Sequence, residues 1–235
     1  MNRTASSDKP PSALYGPIRV LALLLPLFAA TFSLAAETGG CHCFRNRAFN
    51  PDEPFASDSY LMTTVFNSLT ASHFSIPKRD IVMLKMRGGV QGEDLLIALH
   101  LAQDSDMEAR EVLAARKETS WQQFLLSWKP GGGTEDELAS RITAGLPADE
   151  AAGEIAGRIL LARFNVDSET LHRLRQRDLD IREIAVILTL AEKVGTGPDV
   201  IAVPYLNGRL SLSAVANNLG MQPEEVGRLA GRTPG

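Results

Sequence analysis

Cysteine is nearly absent from this chain: there are two in 235 residues, both in the run Cys41-His42-Cys43. A scaffold stapled by several disulfides is excluded, so the fold has to come from an apolar core. Aromatic residues are scarce as well, at 6% of the chain. The two tryptophans, Trp121 and Trp128, lie seven apart on one helical face, which assigns them to core packing and not to a binding stack. Basic charge is short too. With 24 Lys and Arg against 28 Asp and Glu, the formal charge is −4 and the isoelectric point about 5.6. A mildly acidic surface repels phosphate, so no nucleic acid is expected as a partner, and an anionic membrane is a poor one. Sustained alternation of β-branched and polar residues, which half-buried strands require, is missing. So are G-x-S-x-G, H-E-x-x-H and a phosphate-cradling glycine loop. Gly131, Gly132 and Gly133 lack a following Lys-Ser/Thr pair and read as a linker.

What is present begins with a leader. Arg3, Lys9 and Arg19 precede an apolar run over residues 20–36, and the small residues Ser33, Ala35 and Ala36 close it before Glu37. A basic head, an apolar middle and a small-residue exit predict a signal peptide over residues 1–36. The competing reading is an anchor left in place, but the run is short for spanning hydrocarbon and Pro26 interrupts it. The protein is therefore expected to be exported, periplasmic or envelope-associated. A membrane is expected as a partner only if the leader is retained or Cys41 is acylated.

After a loop-like, cysteine-containing arm over residues 37–58, apolar residues fall at helical spacing. Tyr60, Leu61, Val65, Phe66 and Leu69 make one stripe, with Asp58 as its expected N-cap. Ser75 is expected to open the next helix, which carries Ile81, Val82, Leu84 and Lys85 and stops at Gly88 and Gly89. Residues 95–102 are apolar nearly all round, which places that helix at the centre of a bundle. Ser105 with Glu108, and Thr134 with Glu137, read as capping boxes, and Ser120 as the cap before Trp121. The expected fold class is all-α, with no strand.

An internal repeat is visible. Phe74, Ile76, Ile81, Leu84 and Arg87 align with Phe164, Val166, Leu171, Leu174 and Arg177, and residues 94–102 align with 183–191. Further on, Val112 aligns with Val200 and Ser120 with Ser211. The expectation is a helical bundle of two related units of about four short helices each. They occupy residues 59–128 and 135–235, joined by a glycine-rich linker over 129–134.

Three sets of residues carry candidate chemistry. Cys41, His42 and Cys43 are soft and borderline metal ligands that fit zinc or copper, but three adjacent residues supply only part of a tetrahedral shell. Beside that metal or redox reading stand a disulfide or structural thiols, favoured by an oxidising compartment, and lipidation of Cys41. Residues 211–229 resemble a helix-turn-helix at Ala216, Gly220, Val226 and Leu229. Those positions shape a corner and read no base, and Glu224 and Glu225 stand where phosphate contacts would be needed. Glu93, Asp94, Asp180 and Glu183 sit at helix starts, where a carboxylate favours the dipole, and His100 is expected to be a satisfied core or interface histidine.

From Cys41-His42-Cys43 through Phe44, Arg45 and Asn46 into the helical segments, the chain resembles uncharacterised exported helical proteins of Gram-negative bacteria. These have a Cys-x-Cys-Phe stretch after the leader. The resemblance implies an envelope location and brings no catalytic residue and no cofactor. The function expected is a non-enzymatic interaction or structural module with an unidentified envelope protein as partner. The alternative is a metal or redox accessory protein acting through the cysteine segment.

Overall fold

A computed structural model describes residues 44–103, 105–128 and 136–232. The leader, Cys41-His42-Cys43 and the glycine-rich linker lie outside the described residues. Among the described residues the chain is all-α, with twelve helices and no strand. In order these are α1 (Asp58–His73), α2 (Lys78–Gly88), α3 (Gly92–Gln103), α4 (Ala109–Arg116), α5 (Trp121–Ser127) and α6 (Glu137–Thr143). They continue with α7 (Ala148–Phe164), α8 (Ser168–Arg175), α9 (Ile181–Val194), α10 (Pro198–Leu206), α11 (Leu212–Asn218) and α12 (Pro223–Ala230).

The two long helices α1 and α7 each precede one copy of the aligned sequence, so α1–α6 correspond in order to α7–α12, six helices in each series where about four were expected. The described residues form one compact unit. In it α1 packs on α9 of the second series, and α7 packs on α3 of the first. Each series thus lends its leading helix to the other, and one continuous apolar cluster fills the interior. The all-apolar stretches occupy the places their composition demands: Leu95 to Leu99 in α3 and Ile184 to Ala191 in α9 are buried throughout. Trp121 is 4% exposed and Trp128 packs against the same cluster.

Burial corrects the repeat by one residue over α4 and α10. Val112 is fully buried, while Val200, its partner in the sequence alignment, is 62% exposed; Ile201, at 5%, faces inward instead. Equivalent carboxylates tie the central helices to later ones in each series. Asp94 of α3 accepts from Arg116 Nη2 and Trp121 Nε1, both at 2.7 Å. Glu183 of α9 accepts from the Tyr205 hydroxyl and also completes the α9 capping box with Asp180. Burial first, then that hydrogen bond, raises the Tyr205 pKa.

Several helix starts differ from the sequence expectation, each for a local reason. Pro77 lacks an N–H to give, so α2 starts at Lys78 with Pro77 as its cap, while Ser75 takes a left-handed φ of 54° in the preceding turn. Glu108 is itself the cap of α4, in a box with Glu111, and Ser105 is spent on the turn before it, accepting from Met107 N. Asp136 caps α6, one residue before Glu137; Thr134 lies outside the described residues. Ser57 precedes α1, and Asp58 turns to another helix entirely: its carboxylate accepts from the backbone N–H groups of Leu212 and Ser213 at the start of α11. Ser120 caps α5 as expected, accepting from Gln123 N.

Candidate functional site on the two faces of α2

Helix α2 carries one fully buried side chain, Ile81. Its remaining faces, read at helical spacing, divide into two. Lys78, Val82 and Lys85 look toward α1 and α12, whereas Asp80, Met83, Leu84 and Arg87 look toward α3 and the segment before α4.

On the second face lies an open cleft of about 840 Å³. Ile76, Met83, Leu84, Leu99, Ala102 and Met107 make its apolar walls, and Asp80, Arg87, Glu108 and Arg110 stand around it. Charges of both signs at the rim and flexible methionines inside are what a groove for an amphipathic segment presents.

On the first face two ammonium groups are drawn into a polar seam of α1. Lys78 Nζ donates to the Thr64 carbonyl at 2.9 Å and to Thr64 Oγ1 and Ser68 Oγ at 2.7 Å. Lys85 Nζ donates to Asn67 Oδ1 at 2.8 Å. Asn67 is 1% exposed, and Thr64 and Ser68 are also buried. Every one of these acceptors is a neutral oxygen, so hydrogen bonds replace only part of the hydration the charges have lost. Burial lowers the Lys78 pKa, with the Glu224 carboxylate pulling the other way. Burial, then the nearby Arg182, lowers Lys85 to about 8.

The consequence for stability has a definite sign. Between about pH 8 and 10.5 the unfolded chain holds a proton on Lys85 that the native chain releases, so native stability rises across that window. Relative to Lys85→Met, the wild-type chain should gain about 2 kcal/mol between pH 7 and pH 10. Urea denaturation at both pH values checks this; parallel behaviour of the two proteins would show that the ammonium is well solvated.

The arm after Cys43 closes one side of this seam. Phe44 packs edge-on against Tyr60 with ring centroids 5.5 Å apart, Arg47 lies over the same ring at 5.7 Å, and Phe49 N donates to Gln222 Oε1 at 3.0 Å. The other side is α12, which approaches α1 closely because Gly227 and Gly231 face Thr64 and Ser68. The helix-turn-helix-like corner is thus formed by α11, the left-handed Gly220 at φ 75° and α12, and its second helix is packed on α1.

The other candidates take structural places. His100 Nε2 stands 3.0 Å from Asp136 Oδ2, linking α3 to the cap of α6, and that close approach holds the Asp136 carboxyl below its usual range. Burial, then the charge of His100, lowers the pKa of His73. Glu93 lies in the first turn of α3, Asp94 ties α3 to Arg116 and Trp121, and Asp180 and Glu183 share the capping box of α9. Among the described residues no three His, Cys, Asp or Glu side chains converge as a metal shell. No described helix is long and apolar enough to cross a membrane.

No family model, curated protein or solved structure matches this chain. Its function has to be read from its own geometry.

Proposed function

We propose that this chain is an exported, periplasmic or envelope-associated interaction protein without catalytic activity, whose α2–α3–α4 cleft receives an apolar segment of an envelope protein. The observation that carries the reading is the cleft itself. An apolar trough of about 840 Å³ stays open beside the core, and a stable monomer gains nothing from leaving Met83, Leu84 and Met107 partly exposed. The volume accommodates several side chains, the scale of a few anchors along one helical turn or an extended segment. Both signs of charge at its mouth, from Asp80, Arg87, Glu108 and Arg110, supply the polar rim that sets register once apolar anchors are buried.

A photo-crosslinking residue at Met83, in the full chain expressed with its leader, tests this. One discrete adduct with an envelope protein is expected, reduced at least tenfold by Met107→Glu, which puts a charge in the trough. The same crosslinker at exposed Val200, on α10, should not yield that adduct. Equal yield from both positions, or an adduct indifferent to Met107→Glu in a protein of unchanged helicity, would refute the assignment.

A further inference from the structure

The groove on the opposite face of α2 has a different chemistry and makes a separate site. We propose that it binds a small organic carboxylate, with the acid group facing the Lys78 side and the apolar body lying on Tyr60, Val82 and Met86. The groove holds about 520 Å³ between the arm, α1, α2 and α12. Its wall carries three cationic side chains, Arg47, Lys78 and Arg228, with Lys85 one layer behind through Asn67. Arg228 reaches toward Glu225 at 3.9 Å, and Glu224 is the carboxylate that lines the groove itself. Positive charge is therefore concentrated here in a chain whose formal charge is −4.

Two features separate this from an ordinary basic surface. First, both lysines are drawn inward onto Thr64, Ser68 and Asn67, and among the described residues no carboxylate stands within ion-pair distance of either ammonium. Neutral oxygens replace only part of the hydration that these half-buried ammonium groups have lost, and Glu224 is the one carboxylate in the groove lining that offsets Lys78, so a bound anion adds countercharge. Second, beside the polar Thr64, Asn67 and Glu224 the wall has an apolar part. Tyr60, Val82 and Met86 offer a surface that an inorganic anion does not use, while Glu224 on the rim disfavours a dianion. A monoanion with a compact apolar body satisfies both halves.

Benzoate is the probe, titrated into the full chain by calorimetry and by amide chemical shifts. One saturable site is expected, with shifts at Tyr60, Val82 and Met86. Benzyl alcohol, of nearly the same shape and neutral, should bind at least tenfold more weakly, as should inorganic phosphate. Lys78→Met should weaken benzoate at least tenfold. Arg47→Gln, on the arm and outside every helix, should weaken it severalfold without touching the core, so the test survives a folding defect in the first variant. Non-saturable benzoate, phosphate or benzyl alcohol binding as tightly as benzoate, or full affinity in both variants, would overturn the proposal. Failure here leaves the cleft crosslink unaffected, because the two sites share no lining residue.

Discussion

Asp58→Ala should cost about 3 kcal/mol of folding stability, read as a lowered midpoint in urea denaturation at pH 7. The carboxylate is 8% exposed and serves a helix that begins more than 150 residues later. It accepts from Ser213 N at 2.8 Å and Leu212 N at 3.3 Å, and also from the Ser213 hydroxyl. Leu212 and Ser213 are fully buried, so truncation leaves donors in the interior with no water to replace the lost acceptor. Ser211 contributes separately, capping Ala214 N at 3.0 Å and donating to the Pro54 carbonyl. Its hydroxyl accepts from Ala214 N, while Asp58 takes the N–H groups of Leu212 and Ser213. Asp58→Asn keeps one acceptor and should cost about half as much. Asp80→Ala is the control. That carboxylate also sits in the first turn of its helix but is exposed, so its loss should stay under about 1 kcal/mol. Equal effects at both positions would mean that Asp58 acts only through the dipole of its own helix.

That pairing shows where the sequence was legible and where it stopped. An acidic residue before a helical stripe reads locally as a cap, and residue 58 does cap a helix, but the wrong one for any local rule. The partner is chosen by the fold, which brings α11 beside the start of α1. The same limit explains the shifted starts of α2 and α4, where Pro77 and Glu108 took over from serines that looked adequate in isolation. Helical periodicity, by contrast, is a property of one segment at a time. The buried runs of α3 and α9, the glycine stop after α2 and the cap at Ser120 were therefore all readable.

The candidate sites were legible only in part. Lys78 and Lys85 stand seven apart with Val82 between them, a single helical face that the sequence displays openly. Lys85 reads as one more member of an apolar stripe until Asn67 is known to lie opposite. Likewise Thr64, Asn67 and Ser68 form a second, polar stripe in a helix whose apolar stripe explains it well enough alone. Nothing in a one-dimensional pattern says that these two polar faces meet. The cleft is equally hidden, because Met83 lies in α2 and Met107 in the turn before α4, and nothing in the sequence says that they face one another.

The close approach of α12 to α1 links this seam to stability, and Gly227→Val should expose the link with a loss of about 3 kcal/mol. A Cβ at Gly227 would stand 2.8 Å from Thr64 Cγ2 and 2.9 Å from Thr64 Oγ1, well inside contact distance. Four residues on, Gly231 faces Ser68, where a Cβ would meet the Ser68 Cβ at 3.3 Å. Replacing a helical glycine ordinarily gains up to about 1 kcal/mol in backbone entropy for alanine. Here the overlap opposes that gain, and valine adds two γ-carbons that cannot swing clear. The collision falls on the threonine whose hydroxyl accepts from Lys78 at 2.7 Å, so relief by rotating Thr64 sacrifices that hydrogen bond. Thr64→Ala removes both the colliding methyl and the hydroxyl. In the Gly227→Val background it should return about 1–2 kcal/mol, a coupling that two independent sites would not show. A valine variant as stable as wild type in urea, or a double variant whose losses simply add, would mean that α12 moves off α1 at little cost. The lysine seam would then rest on α1 and α2 alone.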